Sequence, residues 1–139
     1  MTVDRFVIDA SVVLEWVETK ESPQKQRALG LYERLVKGEV AFSAPSFLLV
    51  EVINVLYWKK RNTVEEIRDF VDRVKTSGIN FVDGAFSADA SDELLDAVGK
   101  HEITAYDAQY VILAKKLGVK LLTFDEKLLG IKEVGAGEW

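Results

Sequence analysis

The sequence predicts an α/β fold: a single three-layer α/β/α domain with a mainly parallel central sheet between helices. Three observations carry that reading. Short β-rich apolar runs alternate with helical patterns along the 139 residues, as in a sheet assembled by helical crossovers. The first run, Arg5-Phe6-Val7-Ile8, places apolar side chains in succession rather than in alternation. That pattern suits a strand covered on both faces. Helix starts and stops also punctuate the chain at regular intervals. No internal repeat, low-complexity tract or linker interrupts it, so residues 1–139 read as one domain with right-handed crossovers.

The elements follow in order. Arg5–Ile8 is the first strand and ends at Asp9. A helix is expected through Val12–Val17. Ser22-Pro23 places an N-cap before proline at the first helical position, and Gly38 stops that helix. Val40-Ala41-Phe42 is a second short strand. Pro45 is expected to open a long helix running to about Arg61. Thr63-x-x-Glu66 is a capping box for the next helix, which Gly78 ends. Ile79–Val82 is the third strand, and Ser87 to about Val98 reads as helical. Thr104-x-x-Asp107 opens a helix through Leu117, with Gly118 as its stop. Lys120–Phe124 is the fourth strand, ending at Asp125. A short helical turn is expected next, and Ile131–Val134 reads as an edge strand.

Composition narrows the chemistry. There is no cysteine and one histidine, His101. This excludes disulfides, thiolate metal sites and a cysteine nucleophile. One histidine cannot supply a multi-histidine site, and Gly99-Lys100-His101-Glu102 reads as a helix end and loop, a structural setting. Carboxylates are plentiful: 23 Asp plus Glu against 18 Lys plus Arg, a net charge of −5. Any ion chemistry must therefore use mainly oxygen ligands. The start of the chain has no basic run followed by a long apolar stretch, so no signal peptide is expected. The most apolar segment, Phe47–Trp58, is too short to span a bilayer and is broken by Glu51 and Asn54. A cytoplasmic setting is expected. One Met, three Asn and three Gln among many Lys and Glu lean towards a thermophile.

Four acids stand out. Ligands in open α/β sheets gather beyond the carboxyl ends of the strands. Asp9 and Asp125 end the first and fourth strands, facing the same sheet edge. Taken singly, each also reads as a carboxylate capping the next helix. Glu51 lies in Phe47-Leu48-Leu49-Val50-Glu51-Val52-Ile53-Asn54-Val55-Leu56, a helix apolar almost all round. A buried carboxylate there must meet a cation, a partner or a wet cleft. Asn54 lies one turn along on the same face. Asp107 reads either as the acidic member of a capping box or as a group projecting from the helix end into the same cleft. Ser11 and Thr123 flank the acids. Each could bond a carboxylate or a metal-bound water, or serve as a cap and as strand packing.

Carboxylates sharing a cleft repel unless protonated or neutralised. Hard oxygen ligands suit Mg²⁺ or Mn²⁺, and two such ions balance four ionised acids. A two-metal site activates water for in-line attack on a phosphodiester without a histidine base. Lys59-Lys60-Arg61, Arg68, Arg73 and Lys115-Lys116 are candidates for phosphate contacts, although most such groups form solvated helix faces.

In these residues the chain resembles the PIN-domain nucleases, in particular the VapC toxins of prokaryotic toxin–antitoxin pairs. The likeness covers nearly the whole chain. It is carried by Phe6-Val7-Ile8-Asp9-Ala10-Ser11, by Glu51 in the helix after Ala44-Pro45, by Thr104-Ala105-Tyr106-Asp107-Ala108, and by Leu121-Leu122-Thr123-Phe124-Asp125. The resemblance implies a metal-dependent endoribonuclease acting on RNA with Mg²⁺ or Mn²⁺. Its acidic quartet would be Asp9, Glu51, Asp107 and Asp125, and its accompanying hydroxyls Ser11 and Thr123. It further implies a homodimer and a VapB-type antitoxin that places a basic side chain in the cleft. Trp16, Tyr57 and Trp58 are candidate interface anchors, or core residues.

Two other small α/β classes fit less well. A receiver-type phosphoacceptor needs a pair of acids near the end of the first strand, where only Asp9 follows Ile8, and its lysine after the last strand is poorly matched by Lys127. A haloacid-dehalogenase-like phosphatase wants a second Asp where Ser11 stands. The remaining alternative is a catalytically silent module that binds an antitoxin or RNA without cleavage.

Overall fold

The computed structural model describes residues 2–83 and 88–137. Four strands form one sheet: β1 (Asp4–Ile8), β2 (Val40–Pro45), β3 (Asn80–Val82) and β4 (Lys120–Leu122), in the order β3-β2-β1-β4. All three pairings are parallel, with Phe6 opposite Phe42, Ile8 opposite Leu122 and Ala44 opposite Phe81. Around the sheet lie α1 (Ala10–Glu15), α2 (Pro23–Val36), α3 (Leu48–Asn54), α4 (Val64–Thr76), α5 (Ser91–His101) and α6 (Ala105–Leu117). Helices on both faces give three layers, as predicted. Val7 with Ile8, and Leu121 with Leu122, are wholly buried neighbours. Successive side chains point to opposite faces of a strand, so both faces are covered. α6 packs across β4, β1 and β2, and α5 packs on α6. No described helix is long and apolar enough to cross a membrane.

The helix punctuation is as expected at three places. Ser22 caps α2 ahead of Pro23, Thr63 and Glu66 form a complete capping box on α4, and Thr104 caps α6. Gly118 adopts φ 65° after α6. A side chain is disfavoured in that left-handed conformation, and it lets the chain turn straight into β4.

Several boundaries differ from the prediction. Pro45 does not open a helix; it is the last residue of β2, opposite Val82. β2's register with β1 ends at Ser43, so the missing N–H of Pro45 costs no ladder bond. The expected long helix is α3 followed by a π turn over Val55–Lys59. β4 stops at Leu122, which frees Thr123 and Asp125 from the ladder. α5 starts at Ser91 after a 3-10 turn over Ala88–Ala90 and runs on through Gly99 to His101; Ser87 lies outside the described residues. Ile131–Val134 is not an edge strand. Lys132–Val134 is a 3-10 turn, and Ile131 and Val134 are both buried against the core. Residues three apart eclipse in a 3-10 turn, so this spacing buries both, whereas a strand would turn them to opposite faces.

Candidate active site

Because the sheet is parallel, the carboxyl ends of its strands share one edge. β1 is flanked by β2 and by β4, so the chain leaves β1 in one direction and returns on its other side. That switch point is where ligands bind in open α/β sheets. Asp9 follows β1 here, and its backbone N–H donates to Leu122 O of β4 at 3.2 Å.

Asp9 is 4% exposed and every bond to its carboxylate is local to this edge. Oδ1 accepts from Ser11 N–H at 2.7 Å and from the Ser11 hydroxyl. Oδ2 accepts from the Thr123 hydroxyl at 2.6 Å. The capping role considered for Asp9 is observed: Asp9 is the N-cap of α1. Ser11 Oγ also accepts from Phe124 N–H at 2.9 Å, and Thr123 Oγ1 from Asp125 N–H at 2.9 Å. The two hydroxyls therefore stitch the loop after β1 to the loop after β4. Thr123 is 1% exposed, yet it is a working hydrogen-bond hub rather than strand packing. Asp125 Oδ1 accepts from Lys127 N–H at 3.0 Å, a local turn that holds this loop.

Glu51, on α3, is half-buried and accepts from the Tyr110 hydroxyl of α6 at 2.8 Å. Glu51 forms no ion pair with a Lys, Arg or His among the described residues. Asp107 lies in the first turn of α6. Its N–H is capped by Thr104 Oγ1 at 3.0 Å, but the reciprocal bond that completes the box at Thr63 and Glu66 is not made. Asp107 is thus only half committed to capping.

The charges act on one another. Burial pushes the Asp9 carboxyl up to about 6, against its Ser11 and Thr123 hydrogen bonds, with a further push from Asp125. Burial pushes Glu51 up to about 7; the Tyr110 bond opposes this, and the charges of Asp9, Asp107 and Asp125 add to it. Asp107 is raised by burial and by Asp125, with Thr104 and Lys127 opposing. Asp125 is felt by all three of the others. Among the described residues, however, no three acid or histidine side chains lie close enough together to hold an ion. The carboxylates are coupled at the range of charges rather than of ligand contacts. As donors they are hard oxygens throughout, and the burial that raises Asp9 and Glu51 is a cost that a bound cation would relieve. The donor chemistry fits a divalent ion of the Mg²⁺ or Mn²⁺ kind.

Glu51 and Asp107 open onto a cleft of about 630 Å³ that Phe47, Asn54, Trp58, Lys59 and Tyr106 also line. Trp58 is 67% exposed there, and Tyr57 meets its ring edge-on. Trp16 differs: its indole N–H donates to Ala28 O and its ring meets Tyr32, so it fastens α1 to α2. Of the predicted phosphate contacts, Lys59 lines the cleft. Lys60, Lys115 and Lys116 sit in ion pairs with Glu18, Glu133 and Glu93. His101 lies at the end of α5 beside Glu133, away from the acids.

Tyr110 is the residue that sequence reasoning missed. A tyrosine in the apolar run Ala108–Ala114 looks like core. The one signal was Glu51 itself, whose buried carboxylate required a partner.

A family model described as PIN domain matches residues 6–134. Ribonuclease VapC3 of Pyrobaculum aerophilum is 30% identical over 135 residues, an alignment covering 89% of this chain and 92% of the relative. The crystal structure of PAE2754 from Pyrobaculum aerophilum superposes with a TM-score of 0.63 at 22% identity, covering 97% of this chain and 90% of that one. At that identity it bears on the fold alone.

Proposed function

The chain belongs to the PIN-domain family and is of the VapC type, and from that premise we propose that it is a metal-dependent endoribonuclease, the toxin of a VapBC-type toxin–antitoxin pair. The observation that carries the reading is that Asp9, Glu51 and Asp107 are each raised by burial and by the nearby charge of Asp125. Acids whose proton affinity is raised by burial and by a neighbouring charge are matched to a cation.

Asp9, Glu51, Asp107 and Asp125 would hold Mg²⁺ or Mn²⁺. When bound, the ion supplies an acidified water and positive charge against a phosphodiester. The chain's own groups do the rest. Ser11 and Thr123 aim the Asp9 carboxylate and keep it from turning. Lys59 offers a cation to the RNA backbone at the cleft, and Trp58 offers a ring face or edge to an unpaired base. The substrate class is RNA, and the setting the cytoplasm.

Partners follow from the same surface. Val50 and Ile53 on α3, Tyr57 in the π turn and Val64 on α4 are exposed, and grouped exposed apolar residues mark interaction surfaces. We assign this one to a homodimer contact or to a VapB-type antitoxin. A second reading, a silent module that binds antitoxin or RNA, is favoured by the lack of three closely converging acids among the described residues.

Cleavage decides between them. Purified chain, free of antitoxin, is incubated with structured RNAs with and without Mg²⁺ or Mn²⁺. The nuclease reading expects metal-dependent cutting that EDTA and Asp9→Asn abolish. Cutting unchanged by both overturns the metal assignment. Binding without cutting supports the silent module.

A further inference from the structure

We infer that Tyr110 is a positioning residue for the metal site: its phenol fixes the Glu51 carboxylate so that one oxygen is held and the other is presented to the cleft. The inference rests on the metal-site reading above. Glu51 rides on a helix of seven residues that passes directly into a π turn. Among the described residues no group on α3 itself holds the carboxylate; its one hydrogen bond comes from Tyr110, 59 positions away on α6. Tyr110 donates to Oε1, and Oε2 has no hydrogen-bond partner among the described residues.

The phenol is itself buried and packed. Tyr110 is 1% exposed, and its ring meets Phe47 edge-on at 5.2 Å. Phe47 is the residue that precedes α3, so the helix bearing Glu51 clamps the ring that in turn holds Glu51. Tyr110 also follows Asp107 by three positions, on one face of α6. α6 therefore contributes one acid directly and orients a second. A carboxylate whose outer partner is fixed loses less freedom on taking up an ion, and removing such partners costs about 10–100-fold in metal affinity.

The test measures Mn²⁺ binding by calorimetry at pH 7.5 in the parent, Tyr110→Phe, Glu51→Gln and the double variant. Tyr110→Phe keeps the ring and loses the hydroxyl; circular dichroism and a metal-free melt check its fold. The expected result is a weakening of Mn²⁺ binding by about 10–100-fold in Tyr110→Phe and no further weakening when it is added to Glu51→Gln. A purely structural phenol would shift the metal-free melt and leave Mn²⁺ affinity where it was. That result overturns the inference, as does an undiminished effect in the Glu51→Gln background. A parent that binds no Mn²⁺ overturns the metal-site reading and the inference with it, whereas parental affinity in Tyr110→Phe overturns the inference alone. A readout without variants stands beside this one. In 3-fluorotyrosine-labelled parent, Mg²⁺ should shift a buried tyrosine's fluorine resonance, and unmoved tyrosine resonances on saturation contradict the inference.

Discussion

Thr123 donates to Asp9 Oδ2 at 2.6 Å while accepting from Asp125 N–H at 2.9 Å. One hydroxyl thus ties the acid after β1 to the acid after β4. Thr123→Val keeps the shape and removes the hydroxyl. It strips a donor from a buried carboxylate and an acceptor from a backbone N–H, a loss of about 1–3 kcal/mol. Urea unfolding reads this, and Thr123→Ser should recover most of it. A valine variant as stable as the parent would remove Thr123 from the support of Asp9.

The raised acids set a pH dependence with a definite sign. Asp9 moves from 3.8 to about 6 and Glu51 from 4.5 to about 7 on folding. Between those values the folded chain binds more protons than the unfolded one, so metal-free stability falls as pH rises from about 4 to about 7. For Asp9, nearly fully buried, that is about 3 kcal/mol. Glu133 is held down to about 2 by Lys100 and Lys115, so its own contribution changes between about 2 and 4.5, with the opposite sign and only at the foot of the window. Melts in EDTA across this range check the sign. Asp9→Asn should flatten the slope; a parent whose stability is flat or climbs would contradict it.

Divalent metal should reverse that loss. At pH 7.5, Mg²⁺ or Mn²⁺ at one hundred times Kd adds about 2.7 kcal/mol by mass action, a rise in Tm of several degrees for a chain of this size. Glu51→Gln should weaken the response. A Glu51 variant that answers metal as the parent does would place Glu51 outside the site.

Trp58 offers a test on RNA. It is exposed and lines the acid cleft with Lys59, so Trp58→Ala should change folding stability by less than about 0.5 kcal/mol. Loss of one stacked base should cost about 1–3 kcal/mol of RNA binding, read by anisotropy with labelled RNA. Unchanged affinity would send the RNA path elsewhere.

What the sequence made legible is the local part of this chemistry. Val7-Ile8 and Leu121-Leu122 announced strands covered on both faces, and Thr63 with Glu66 announced a helix start, because each depends on neighbours in the chain. Pro45 misled because its fixed φ suits a strand's last residue as well as a helix's first. Ile131 and Val134 misled because apolar residues three apart satisfy a buried 3-10 turn. At the site, Asp9, Asp107 and Asp125 could be proposed from their places at strand and helix ends, and Glu51 from its place in an apolar helix. The bonds that position them could not: Thr123 to Asp9 and Tyr110 to Glu51 join segments far apart in sequence, and only the fold brings them together.

The sheet order has a consequence for the life of the chain. Of the four strands, β1 is made first and its second neighbour β4 last. Asp9 and Thr123 are 114 positions apart, so a loop closure over most of the chain falls on its acid cluster. During synthesis, β1 can pair with β2 long before Thr123 leaves the ribosome. A chain arrested before β4 therefore lacks both the hydroxyl that steadies Asp9 and the fourth acid. Under the nuclease reading, the site is therefore assembled only when β4 docks, after the rest of the sheet is already in place.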